Sequence, residues 1–268
     1  MDVLPFLVEV NMQKKKYLTG FWICFIVLLI SLFMVAHHYV SADQAEEDFD
    51  ALVEMMDEVE TTEKEKVTVE ENIQSPLEKY QELFHRNNDM YGWISIEGTN
   101  INYPVMYAPD RKDYYLKKNF EKEYSAYGVP YIAEHCDPYE ACDNLIIYGH
   151  HMKNGSMFSD LMKYESEKFY YSQKTLNFDS MTEMAEYEII AVFKTTVYDD
   201  AGFKYYLFTD AETEEEFDSY INKCKALSLY EIETSAEYGD QLITLSTCEY
   251  SRNNGRMVVV AKKVTGAE

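Results

Sequence analysis

Cationic residues are scarce in this chain: 24 lysines and arginines stand against 48 aspartates and glutamates, a formal net charge of −24 over 268 residues. Such a balance repels a phosphate backbone and excludes nucleic acid as a partner. It reads instead as a solvated, soluble surface. Cysteine is limited to five residues, at 24, 136, 142, 224 and 248. That is an odd number without framework spacing, in a chain long enough to bury a core without disulfide staples. Internal repeats and low-complexity tracts are also missing, which argues against a repeat architecture.

Charge is entirely absent from Tyr17 to Ala42. The centre of that stretch, residues 18–36 (LTGFWICFIVLLISLFMVA), has the length of a helix that spans a bilayer. Lys14, Lys15 and Lys16 precede it and acidic residues follow. The positive-inside rule then predicts a cytoplasmic segment over residues 1–16, a transmembrane signal anchor over 17–40 and an extracellular body, with the protein single-pass in the cell membrane. A cleaved signal peptide is the alternative. The apolar run is long for one, and the His37-His38-Tyr39-Val40 exit lacks a small-x-small cleavage site.

Ser41 with Gln44 forms a capping box, and Ala45, Phe49, Leu52, Val53, Met56 and Val59 recur at helical spacing. Residues 61–74 lose the pattern, so residues 41–74 read as an acidic helical stalk and linker. Ser75-Pro76-Leu77-Glu78 is a second capping box, with proline at the first helical position of a helix reaching about Arg86. It opens the main domain, residues 75–268.

Beyond Met90 the texture becomes short β-rich runs: YGWISIEG, INYPVMY, LIIYGH, AEYEIIAVFKTTV, QLITLSTC and RMVVVAKKV, with helical patches at residues 157–164 and 213–227. The fold class is mainly β with helices, a barrel or sandwich. Cys224 falls on the apolar face of the second patch, where it reads as a packed small hydrophobe.

Two of these strands end in reactive side chains, one in Gly149-His150-His151 and the other in Cys248, and a third strand begins at Arg256. A thiol becomes a nucleophile when a base or cation favours its thiolate, and an arginine can stabilise an oxyanion. Each residue also has a plain structural reading, Arg256 for instance as a surface partner of Glu249. A second cluster, His135, Cys136, Cys142, His150 and His151, holds zinc-type ligands. Its six-residue cysteine spacing and its adjacent pairs, which diverge on a strand, argue against a metal. A Cys136–Cys142 disulfide has no better support.

The motifs Tyr91-Gly-Trp-Ile-Ser-Ile-Glu-Gly-Thr, Asn102-Tyr-Pro-Val, Asp113-Tyr-Tyr-Leu, Ile147-Tyr-Gly-His-His-Met-Lys-Asn-Gly-Ser-Met-Phe, Leu245-Ser-Thr-Cys-Glu and Gly255-Arg-Met-Val-Val-Val-Ala-Lys together resemble the class B sortases of Gram-positive bacteria. The resemblance runs from about Ser75 to Val264. It implies a closed eight-stranded mixed β-barrel with an N-terminal helical extension, and a cysteine transpeptidase that needs no metal or organic cofactor. Cys248 is implied as nucleophile, His150 as general acid and base, and Arg256 as stabiliser of substrate and oxyanion. Leu116, Tyr206 and Leu207 are implied to line the sorting-peptide groove, and Tyr148, Ser246 and Glu249 to flank the site as further substrate-binding residues. The implied partners are the sorting-signal peptides of surface proteins and the amine of a lipid-linked peptidoglycan precursor. One departure bears on peptide preference: Asp110-Arg-Lys-Asp113 stands where class B enzymes often carry an asparagine. A peptidase that only hydrolyses and a non-catalytic wall-associated module are the competing readings.

Overall fold

The computed structural model describes residues 4–64, 76–140, 142–198 and 202–264. It divides into two compact units, Met1–Gln44 and Ala45–Glu268. The first unit carries the Tyr17–Ala36 stretch, twenty residues of helix that are long and apolar enough to cross a membrane. Helix α1 is assigned over Leu4–Lys64. It runs through Ser41, so the predicted helix start there is not formed.

The second unit begins at Ala45, thirty residues before the boundary predicted at Ser75. Phe49 and Leu52 are buried in the same core as the barrel, and the Phe49 ring meets Tyr103 edge-on at 5.1 Å. Each such side chain contributes about 1.5–3 kcal/mol by burial. The amphipathic spacing read as a stalk is the imprint of that packing. Helix α2, Pro76–Arg86, starts at its proline as the sequence predicts, while Ser75 lies outside the described residues. Its apolar face buries Tyr80 and Leu83; Tyr80 stacks on Trp93 and donates to Asp179 at 2.6 Å.

The body is a closed barrel of eight strands: β1 Met90–Ser95, β2 Asn102–Met106, β3 Tyr131–Ile132, β4 Asn144–Tyr148, β5 Thr175–Ser180, β6 Met184–Thr196, β7 Leu242–Glu249 and β8 Gly255–Lys263. Their order around the barrel is β1-β2-β3-β4-β7-β8-β6-β5. The β2–β3 and β4–β7 pairs are parallel and the rest antiparallel, so the barrel is mixed. Two of these strands, β3 and β5, are not among the runs predicted. Two short helices complete it: α3, Glu167–Ser172, and α4, Glu214–Leu227, which is capped by the Thr213 side chain.

Strand alternation separates two apolar layers. Ile243, Leu245, Met257, Val259 and Ala261 join the main core, whereas Leu242, Val258 and Val260 face the second cluster with Phe217, Tyr220, Ile221 and Cys224 of α4. Cys224 is thus the packed residue its periodicity predicts, and burial pushes its thiol up to about 12. Cys136 is also fully buried, its sulfur 3.8 Å from the Asn144 carbonyl, and burial raises its thiol likewise to about 12.

Candidate active site

The alternation that builds the barrel also aims the reactive side chains. Counting by twos from Val260 and Val258 puts Arg256 on the α4-facing side of β8, and counting from Leu242 puts Cys248 on the same side of β7. The β7–β8 register sets Cys248 directly opposite Arg256. Opposed Cα atoms in an antiparallel pair lie about 4.5–5.5 Å apart, so the thiol and the guanidinium stem leave the sheet as neighbours. Both residues are half-buried.

His150 reaches the same end of the barrel from the other flank. Strand β4 runs parallel to β7 with Tyr148 opposite Ser246, and Gly149 extends the pairing by donating its N–H to the Ser246 carbonyl at 3.2 Å. His150 follows immediately. Its carbonyl accepts the Phe158 N–H at 2.8 Å, and its Nε2 lies 2.7 Å from the Leu116 carbonyl. A carbonyl only accepts, so Nε2 carries hydrogen and the neutral ring keeps its lone pair on Nδ1. Among the described residues, Nδ1 has no hydrogen-bond partner.

Two local devices hold this histidine. A Cβ on Gly149 would fall inside the Phe158 ring, so only glycine lets the chain pass there. Gly149→Ala is accordingly expected to cost about 1–3 kcal/mol as an overpacked site. It also lowers activity by displacing His150, checked by thermal denaturation beside a rate assay; an alanine variant with unaltered Tm would contradict this role for the ring.

The second device is the excursion between β2 and β3 that carries Leu116. It is tied down at Asp89, whose carboxylate accepts from Tyr115 at 2.7 Å and pairs with Arg111 and with Lys122 at 3.2 Å. Burial pushes the Asp89 carboxyl up, but these bonds more than offset it and hold the group below its usual range.

Arg256 is free of the partner its plain structural reading required. Glu249 is only 4% exposed and accepts from the backbone N–H and hydroxyl of Ser251, with Lys194 3.6 Å away. Burial raises the Glu249 carboxyl, and the Ser251 bonds and Lys194 bring it below the usual range. Among the described residues Arg256 makes no ion pair; its Nη1 donates to the Gly255 carbonyl at 2.9 Å.

A thiol and, among the described residues, an imidazole with a free Nδ1 and a guanidinium without an ion pair form at one barrel rim the constellation of an acyl-transfer enzyme. The comparisons with known proteins agree. The Sortase domain model matches residues 94–264. Sortase B of Listeria monocytogenes is 37% identical over 191 residues, 70% of this chain and 75% of its own length. The chain belongs to the class B sortases. Sortase B of Staphylococcus aureus is 28% identical over 254 residues, 94% of this chain and 98% of that one. A solved Staphylococcus aureus sortase B–substrate complex superposes with a TM-score of 0.73 at 26% identity, covering 85% of this chain and all of that one. The protein is therefore a cysteine transpeptidase with the closed mixed barrel of its family.

Of the six substrate-binding residues implied by this family, Leu116, Tyr148 and Tyr206 are partly accessible and Leu207 is 64% exposed. Ser246 and Glu249 are not accessible. Ser246 is 1% exposed and its hydroxyl is engaged with Tyr205 at 2.6 Å, while Glu249 is spent on Ser251 and Lys194. Burial keeps Tyr205 protonated up to about 12, the Ser246 bond opposing it, so this hydroxyl pair stays intact. Sequence reasoning passed over the Leu116 carbonyl as a histidine anchor, since a main-chain contact leaves no mark in residue type. The zinc-type cluster has separate fates: His135 Nε2 meets the Tyr206 carbonyl at 2.6 Å, whereas Cys136 is packed in the core.

Proposed function

We propose that this sortase cleaves a C-terminal sorting motif after threonine and transfers the protein to an amine of a lipid-linked peptidoglycan precursor. The observation that carries the reading is the Cys248–Arg256 register beside the His150 turn. The Cys248 thiol passes its proton to His150 Nδ1 as its sulfur attacks the threonine carbonyl, the oxyanion is met by Arg256, and the C–N bond breaks as that same proton moves from Nδ1 to the departing amine. A thioester remains. The acceptor amine then attacks it, returns a proton to His150 and expels the thiolate. Leu116, Tyr148, Tyr206 and Leu207 line the groove that orients the peptide.

The apolar Tyr17–Ala36 helix supports a membrane anchor, and Lys14 to Lys16 support a cytoplasmic N-terminus with the barrel outside. Residues 41–44 then act as tether, with residues 45–55 already part of the catalytic body. Such tethering gives the acceptor an advantage over water, because enzyme, client and lipid-linked precursor share one surface and their effective concentrations rise.

The test is intact-protein mass spectrometry of the full chain with a pool of threonine-containing sorting peptides, with and without glycine or diaminopimelate-type amines. A thioester adduct on Cys248 that passes to the amine is the expected result. An adduct discharged only by water would favour a hydrolase, and no adduct with any peptide would overturn the reading.

A further inference from the structure

Beyond the Tyr148–Ser246 pair, the β4 and β7 chains remain joined by contacts that are not ladder bonds. The Thr247 hydroxyl donates to the Gly149 carbonyl at 2.8 Å, and His151 Nδ1 lies 2.8 Å from the carbonyl of Cys248. That carbonyl can only accept, so His151 donates through Nδ1–H. His151 is itself held from the far side. The Tyr250 hydroxyl donates to the His151 carbonyl at 3.1 Å, and the two rings sit 5.0 Å apart. A β-bridge to Met157 closes the same turn, with Met157 at φ +57° and its N–H donating to the Tyr103 hydroxyl at 3.0 Å. A non-glycine residue in that region of backbone space persists only where its surroundings impose it.

From these contacts we propose that His151 is a positioning residue, which clamps the main chain of Cys248 and is braced by Tyr250. The inference rests on the reading of Cys248 and His150 as the reacting pair. Its physical content is distance control. His150 and His151 are consecutive, so the segment that presents the imidazole also grips the carbonyl of the residue bearing the thiol. The spacing of the two groups is fixed within one turn rather than through the whole barrel. His151 moves no proton in this role. Nδ1–H is present both in its neutral tautomer and in the imidazolium, so the clamp holds across the working pH range. A misplacement near 1 Å can cost on the order of 100-fold in rate, which makes such a clamp worth having.

The experiment compares His151→Ala, His151→Asn and His151→Gln in the full chain. It reads single-turnover thioester formation with the threonine-peptide pool, beside alkylation of Cys248 by iodoacetamide. Alanine is expected to slow acylation by roughly 10- to 100-fold. Alkylation by the small, unoriented reagent stays within about twofold, as does the peptide concentration for half-maximal rate. Asparagine places an N–H where Nδ1–H stood and restores most of the rate; glutamine, one bond longer, does not. The limbs of the pH–rate profile stay where they are in the wild type.

Tyr250 is 68% exposed, so Tyr250→Phe leaves folding intact and tests the brace alone, with an expected loss of a few-fold. Wild-type acylation by the alanine variant, or equal rescue by glutamine and asparagine, would overturn the proposal. Should the alanine variant fail to fold, the asparagine–glutamine contrast and Tyr250→Phe decide it. Acylation surviving in Cys248→Ala, or no adduct on the wild type, instead refutes the underlying assignment of the nucleophile.

Discussion

Cys248→Ala is expected to lower transpeptidation by about 10⁴-fold, and His150→Ala to lower it by a similar factor, with the double variant no slower than either single one. A thiolate nucleophile and the base that serves it act as a unit, so removing one makes the other idle. The geometry meets the conditions for such a unit. Nε2 of His150 is committed to the Leu116 carbonyl, so one ring nitrogen alone is available for the proton. Serine at 248 gives no rescue, because a hydroxyl in the same place stays protonated where a thiol is readily deprotonated. Neither residue is fully buried, and both substitutions are expected to leave Tm within a few degrees. The measurement is the initial rate of peptide–amine ligation for the single and double variants. A Cys248→Ala rate within tenfold of wild type would remove the nucleophile assignment, and a double variant markedly slower than both singles would show that the two residues act separately.

Most of the reactive constellation was legible because it sits on long, strongly apolar strands. QLITLSTC and RMVVVAKKV declare β7 and β8 by their β-branched content, and the five-residue reversal between them makes them a hairpin. Once they pair, Cys248 and Arg256 have to meet. What the residues could not disclose was the parallel partnership of β4 with β7, formed across about a hundred residues of chain. Only the resemblance to sortases brought His150 to the thiol. Strands β3 and β5 left weak signals for different reasons. Tyr131–Ile132 is two residues long, and Thr175–Ser180 alternates buried Leu176 and Phe178 with Asn177 and Asp179, a polar face that reads as a loop. Yet β5 joins β1 to β6 and so closes the barrel.

The second compact unit starts earlier than the boundary read at Ser75, and the difference comes from context rather than pattern. Phe49, Leu52 and Val53 were correctly read as one helical face, but a face needs something to cover it, and the barrel supplies that cover. The substrate-binding residues divide on similar grounds. Family resemblance marks positions around a site, and burial separates the accessible Tyr206 and Leu207 from Ser246 and Glu249, whose side chains are buried.

The second large effect is expected at Arg256. Arg256→Ala should lower the rate by about 10²–10³-fold at saturating peptide, the usual cost of removing one donor from a developing oxyanion. The loss belongs in kcat more than in KM, because the negative charge it meets is absent from the ground-state carbonyl. Lysine recovers little. Its ammonium is a single flexible point charge, whereas the guanidinium is a planar fork with one nitrogen already anchored on the Gly255 carbonyl and the others left to the site. The strongest competitor for that charge would be the carboxylate of Glu249, next to Cys248 in sequence. Alternation turns it to the other face of β7, where Ser251 and Lys194 occupy it. Steady-state kinetics of the alanine and lysine variants check the prediction, and an alanine variant within threefold of wild type in kcat would leave the oxyanion without this donor. Loss confined to KM would instead make Arg256 a peptide-binding residue alone, since a contact that strengthens only in the transition state cannot be read out in ground-state affinity.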